Sequence, residues 1–289
     1  MKKLPFFLLL GLTLQATAQR VVDKAVIKMN SLITFPENWG GGGPGGGGDD
    51  NGQRMMPRDI ETAMTVYFKG DQTKIESVTD FGKNLTFIDR KEKKTTNLME
   101  MMGRKMGFTS TDADAENMQR RMDSARNARR DSLEKLGLRF ADSGPEIVYT
   151  EEKKKIAGME CKKAIIKTKG RQGEVTETAV WYSPEFKMGS GFAVGGNGGN
   201  GGSQGGGMMR GGMSMMSVSG MEKLNGFPME YETTRQNGMK ISMVVTKVQL
   251  DADIDDKTFE IPKGYDIKPM SEMGGQREGM RMMFRSGSN

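Results

Sequence analysis

Apolar and polar residues alternate one for one through residues 21–35, 62–69, 73–78, 84–89 and 94–99, and again through 147–155, 160–168, 174–182, 229–235 and 240–249. Successive side chains of a β-strand point to opposite faces, so each run places its apolar set on one side of a sheet. The links between runs are short and turn-like, as in Lys69-Gly70-Asp71-Gln72, Phe81-Gly82-Lys83-Asn84 and Asn237-Gly238. Tight links of this kind join antiparallel neighbours, so the first half of the chain predicts a meander and the second half a return to strands.

Between the two halves the period changes. Met118, Met122, Ala125, Leu133 and Leu136 recur near helical spacing among charged residues, and Gly137 stands where a helix would stop. A helix over residues 112–136 follows. A long antiparallel sheet must bury one of its faces, and this helix is the one regular element available to cover it. The expected fold is therefore mainly β, of the α+β class: a curved antiparallel sheet or half-barrel with one main helix as a lid. A curled sheet of that kind creates a concave apolar surface, the usual setting of a ligand site.

The rest of the chain adds little core. Of its 40 glycines many fall in two inserts, residues 40–52 and 189–220, which carry too little apolar surface to pack. Residues 270–289 form a Met-, Arg- and Gly-rich tail that reads as disordered. One domain over residues 19–269 remains. Neither insert ends in the Gly-Lys-Ser/Thr of a phosphate cradle, and nucleic-acid binding is not expected.

At the start, Lys2 and Lys3 precede a short apolar run at residues 4–14 and the small-x-small sequence Ala16-Thr17-Ala18. This is the pattern of a cleaved export signal, which places the mature start at Gln19 and the protein in the periplasm. No cysteine follows the cut to accept a lipid anchor, and no later apolar run is long enough for a membrane span. The net charge of +6 includes Lys2 and Lys3 and suits a solvated sheet surface.

Catalytic chemistry finds few tools here. The chain has no histidine, so the usual general base and the commonest transition-metal ligand are both missing. Cys161, the single cysteine, forms no internal disulfide; flanking Lys162 and Lys163 favour a reactive thiolate, while a strand position favours a small buried hydrophobe. Asp251, Asp253, Asp255 and Asp256 supply oxygen ligands of the type calcium takes, yet the glycine and distal glutamate of a calcium loop are lacking, and an acidic turn accounts for them. No enzyme activity, resident metal or cofactor is expected. The 27 methionines leave a different opening. Clustered thioethers chelate Cu(I), and Met213, Met215 and Met216 would be its ligands; relaxed low-complexity sequence is the plainer account.

Four markers punctuate the second half: Ile156-Ala-Gly-Met-Glu-Cys161, Val180-Trp-Tyr-Ser-Pro184, Leu224-Asn-Gly-Phe-Pro228 and Phe259-Glu-Ile-Pro-Lys-Gly-Tyr265. With them the chain resembles the secreted GLPGLI-type and related proteins of Bacteroidetes over residues 146–269, and the first half only in strand pattern. The resemblance implies the LolA/LolB-like fold of lipoprotein carriers, a half-barrel whose inside holds acyl chains. It assigns that lining to inward residues of the alternation: Val180, Tyr182, Phe227, Met229, Tyr231, Met243 and Val245. The implied ligand is a lipid, an acylated protein or another apolar molecule, with an outer-membrane or lipoprotein partner and a monomeric state. The chain departs from the pattern where Gly226-Phe-Pro-Met229 replaces a fuller Gly-Leu-Pro-Gly-Leu-Ile. Two alternatives stay open: the same side chains fill a closed core of an envelope interaction protein, or the scaffold carries Cu(I) on its methionines.

Overall fold

The computed structural model describes residues 19–36, 59–101, 103–135, 144–169, 174–188, 218, 220–235 and 238–272. The insert at 40–52, nearly all of that at 189–220 and the tail beyond residue 272 lie outside the described residues.

The chain runs β1 (Arg20–Val22), β2 (Lys24–Thr34), β3 (Asp59–Lys69), β4 (Gln72–Thr79), β5 (Gly82–Asp89), β6 (Lys94–Met101) and β7 (Arg104–Thr111), then α1 (Asp112–Lys135). It continues as β8 (Glu146–Ile156), β9 (Met159–Lys169), β10 (Val175–Ser183), β11 (Phe186–Met188), β12 (Phe227–Thr234), β13 (Lys240–Leu250) and β14 (Asp266–Pro269). Twelve strands form one sheet in the order β14-β7-β6-β5-β4-β3-β2-β13-β12-β10-β9-β8, and β1 and β11 form a separate two-stranded sheet. The large sheet is antiparallel except where β14 joins β7, and its ends are not paired into a barrel.

Turn chemistry explains the meander. Between β8 and β9 the chain reverses at Ala157 and Gly158, both at positive φ (49° and 83°), the backbone a two-residue type I′ hairpin requires. The helix starts where expected because Thr111 and Asp114 cap it reciprocally. The Thr111 hydroxyl accepts from the Asp114 N–H at 3.2 Å, and the Asp114 carboxylate accepts from the Thr111 N–H at 2.9 Å. These hydrogen bonds hold the Asp114 carboxyl below the usual carboxylate range and satisfy N–H groups that the first turn would otherwise leave unpaired. The described side chains of α1 are exposed or half-buried; its apolar stripe, Met118, Met122, Ala125, Leu133 and Leu136, falls outside the described side chains.

Both halves meet in the middle of the sheet, where β2 pairs with β13 and Ile33 faces Ile241. One apolar cluster covers this region, from Ile27, Met64 and Val66 through Ile241 and Val245 to Val180 and Ile166. A second, smaller cluster lies under Tyr265 and contains Leu85, Phe87 and Leu98. The Phe259–Tyr265 marker thus ends a strap running from β13 to β7. Ile254 is buried, its carbonyl accepts from Lys69 Nζ at 2.9 Å, and Asp256 ion-pairs with the same ammonium. That marker is structural.

Candidate functional site

The alternation that defines β10, β12 and β13 brings all seven candidate lining residues together. Val180, Tyr231 and Met243 are consecutive rungs of one ladder, which continues into Ser31 of β2. Val245 lies one rung pair away, facing Met29. Between Trp181 and Tyr182 the register slips: Glu230 faces Trp181 and Pro228 faces Tyr182, leaving Met229 as the extra residue of a bulge. Proline cannot donate to a ladder, and the bulge is where a strand tolerates it.

All seven are buried, at 0 to 6% exposure, and they belong to one continuous apolar cluster. The Tyr182 ring meets Tyr149 edge-on with centroids 5.7 Å apart, and the Tyr149 hydroxyl accepts from the Asn225 N–H at 3.2 Å. Burial pushes the Tyr231 phenol well above its ordinary range, and burial together with neighbouring Tyr149 and Glu151 raises Tyr182. These phenols stay neutral at physiological pH.

Two features of this cluster escape the sequence pattern. The first is its cover. Val22 of β1 and Phe186 of β11 are buried over it, and Phe186 stacks on Phe227. Strands of three residues are too short to show periodicity. The Val21-Val22 pair beside Pro184-Glu185-Phe186 is the one hint the sequence carries. The second is polar. Ser31, directly opposite Met243, is 5% exposed, and among the described residues its hydroxyl has no hydrogen-bond partner; Thr73 of β4 shares this condition.

The Leu224–Pro228 marker is explained by close packing. A Cβ on Gly226 would lie 2.1 Å from the Ser183 carbonyl oxygen and 2.7 Å from the Tyr182 ring, so only glycine lets this turn sit against β10. Leu224 seals the cluster beside it at 3% exposure.

Trp181 is not one of the seven: it is partly buried against the cluster, with Lys154 Nζ 4.3 Å from its ring centroid and Glu230 holding that ammonium at 2.6 Å. Cys161 is fully buried, and burial pushes its thiol up to about 11, so the flanking lysines do not make it a nucleophile. The acidic run is engaged: Asp251 pairs with Arg20, Asp255 caps the Asp256–Phe259 turn through the Lys257 N–H, and Asp256 pairs with Lys69. Met213, Met215 and Met216 lie outside the described residues.

A surface pocket of about 350 Å³ lies apart from the cluster, lined by Gly144, Glu146, Lys167, Lys169, Val175 and Glu177. Lys167 and Glu177 pair across it at 3.0 Å, and none of the seven candidates reaches it. Among the described residues no helix is long and apolar enough to cross a membrane.

No curated protein matches the chain. Among solved structures it is similar to PNGF-II in two crystal forms, P21 and C2, at 13% and 14% identity with TM-scores of 0.33 and 0.34. The likeness covers 87% of this chain and 33% and 32% of those chains, so this chain spans about a third of their length. TM-scores this low assign neither fold nor activity. A family described as a domain of unknown function, DUF4412, matches residues 53–265, and the chain belongs to that family.

Proposed function

We propose that the protein is an exported, non-enzymatic binding protein that takes an apolar ligand, a lipid or an acylated protein, between the large sheet and the β1–β11 pair. The observation that carries this reading is the cover of the cluster. The seven apolar candidates share one buried cluster with Val22 and Phe186 of a separate two-stranded sheet, and Phe186 stacks on Phe227. Apolar contacts are non-directional, so an acyl chain can take the place of Phe186 and Val22 against the same wall. Ser31 supports the reading further. A buried hydroxyl without a partner costs about 1–3 kcal/mol, and the polar end of a ligand beside Met243 would satisfy it. The strand pattern and the markers that resemble the secreted GLPGLI-type proteins, with the carrier-like fold that resemblance implies, point the same way, as does an export signal over residues 1–18.

Near-complete burial of the seven favours a second reading, an envelope interaction protein whose core is permanently filled. Native mass spectrometry of residues 19–289, expressed in the periplasm and purified without detergent, separates the two. Co-purifying lipid at defined stoichiometry, lost in Phe227→Glu or Met243→Glu, is the expected result. Apo mass in every preparation, with no lipid in the extract, would leave the filled-core reading.

A further inference from the structure

The small-x-small sequence Ala16-Thr17-Ala18 is followed at once by a residue whose side chain the fold engages. The half-buried Gln19 carboxamide donates to the Pro184 carbonyl at 3.3 Å and to the Asn225 carbonyl at 3.0 Å. Both acceptors are backbone groups far along the chain, one in the link between β10 and β11 and one in the turn that leads into β12. The next residue fastens the same place: the Arg20 N–H donates to the Glu185 carbonyl at 3.2 Å, and the Arg20 guanidinium pairs with Asp251. Asn225 is itself held at its N–H, which donates to the Tyr149 hydroxyl at 3.2 Å.

On the export reading, cleavage after Ala18 gives Gln19 a free α-amine, and an N-terminal glutamine closes on itself. The amine nitrogen attacks Cδ of its own side chain, and the new N–Cδ bond completes a five-membered lactam. The Cδ–Nε2 bond breaks, and Nε2 leaves as ammonia with a proton taken from the amine. No oxidant, reductant or second substrate enters. In the folded protein the nitrogen that must leave is the donor of both hydrogen bonds, so expelling it breaks the hold on Pro184 and on Asn225. The lactam carries no carboxamide NH2 and cannot replace either bond.

We infer that Gln19 is a modification site controlled by folding: the unfolded mature chain cyclises it to pyroglutamate, and the folded chain holds it open through the Pro184 and Asn225 carbonyls. The inference rests on cleavage after Ala18 and is independent of the apolar ligand. Folding and cyclisation compete for one side chain. A chain that cyclises first folds without these two hydrogen bonds, and a chain that folds first keeps its glutamine.

The test follows loss of ammonia by intact mass. Protein made from the full chain and recovered from the periplasm is incubated at neutral pH, in buffer and in urea sufficient to unfold it. The synthetic peptide Gln19-Arg-Val-Val-Asp-Lys24 is incubated beside it in both solvents. In buffer the protein is expected to cyclise at least about tenfold more slowly than the peptide, the factor that two hydrogen bonds of ordinary net strength supply. In urea the two rates are expected to converge. Equal rates in buffer, slowness that persists in urea, or protein isolated wholly as pyroglutamate would overturn the control by folding and leave cleavage after Ala18 standing. A mature mass that begins at any other residue would overturn the cleavage reading and this inference with it.

Discussion

The Phe186 ring stacks on Phe227 with centroids 5.0 Å apart and planes inclined by 21°. One ring comes from a three-residue strand and the other opens a strand of the large sheet, so this contact joins the small sheet to the core. Phe186→Ala removes that contact and a fully buried aromatic side chain. The expected loss is about 3–5 kcal/mol of unfolding free energy, read from urea denaturation. A loss below about 1 kcal/mol would mean that the cover contributes nothing to the fold.

Gly226→Ala is expected to be nearly as damaging with a single added methyl group. The Cβ would collide with the Ser183 carbonyl oxygen at 2.1 Å, and that oxygen is backbone with no rotamer to change. Gly70→Ala is the comparison, at positive φ but with nothing within 4 Å of its Cβ. Thermal melts should rank Gly226→Ala far below Gly70→Ala; the reverse order would contradict the packing of the Leu224–Pro228 turn against β10.

Cys161 ties stability to alkaline pH. Its thiol sits near 9 in the unfolded chain and is raised to about 11 by burial in the folded one. The folded state therefore keeps the proton longer. The contribution is complete below pH 9 and is lost as pH rises from 9 to 11, up to about 2–3 kcal/mol. Wild type should lose stability across that window relative to Cys161→Ala, and its thiol should react with a thiol reagent only after unfolding. Identical pH profiles for the two proteins would show that the buried thiol carries no such linkage.

Tyr265→Ala uncovers Leu85, Phe87 and Leu98 and frees the strap between β13 and β14. Residues 251–269 are then expected to become the first site of limited proteolysis, while the β2–β13 core stays protected. Asp256→Asn removes one exposed end of the Lys69 pair and should leave the proteolysis pattern and the melting temperature close to those of wild type. Cleavage elsewhere first in Tyr265→Ala would show that Tyr265 is not what holds the strap.

Each alternating run proved to be a strand, and the helix begins at Asp112 because Thr111 and Asp114 form a cap that can be read directly from their spacing. The seven lining candidates are legible for the same reason: within one strand, alternation alone decides which side chains share a face. Residues 104–111 show no such alternation, so β7 is not visible in the sequence, and the run at 21–35 conceals the break at Asp23 that divides β1 from β2. What only the tertiary structure decided is which strands become neighbours. Backbone hydrogen bonds carry no residue identity, so nothing local announces that Ile33 will face Ile241, or that Val22 will pair with Met188. The sequence by itself determined the faces, the turns and the helix; long-range pairing decided which faces meet, from Val180 through Tyr231 and Met243 to Ser31, and set Phe186 of the small sheet on Phe227.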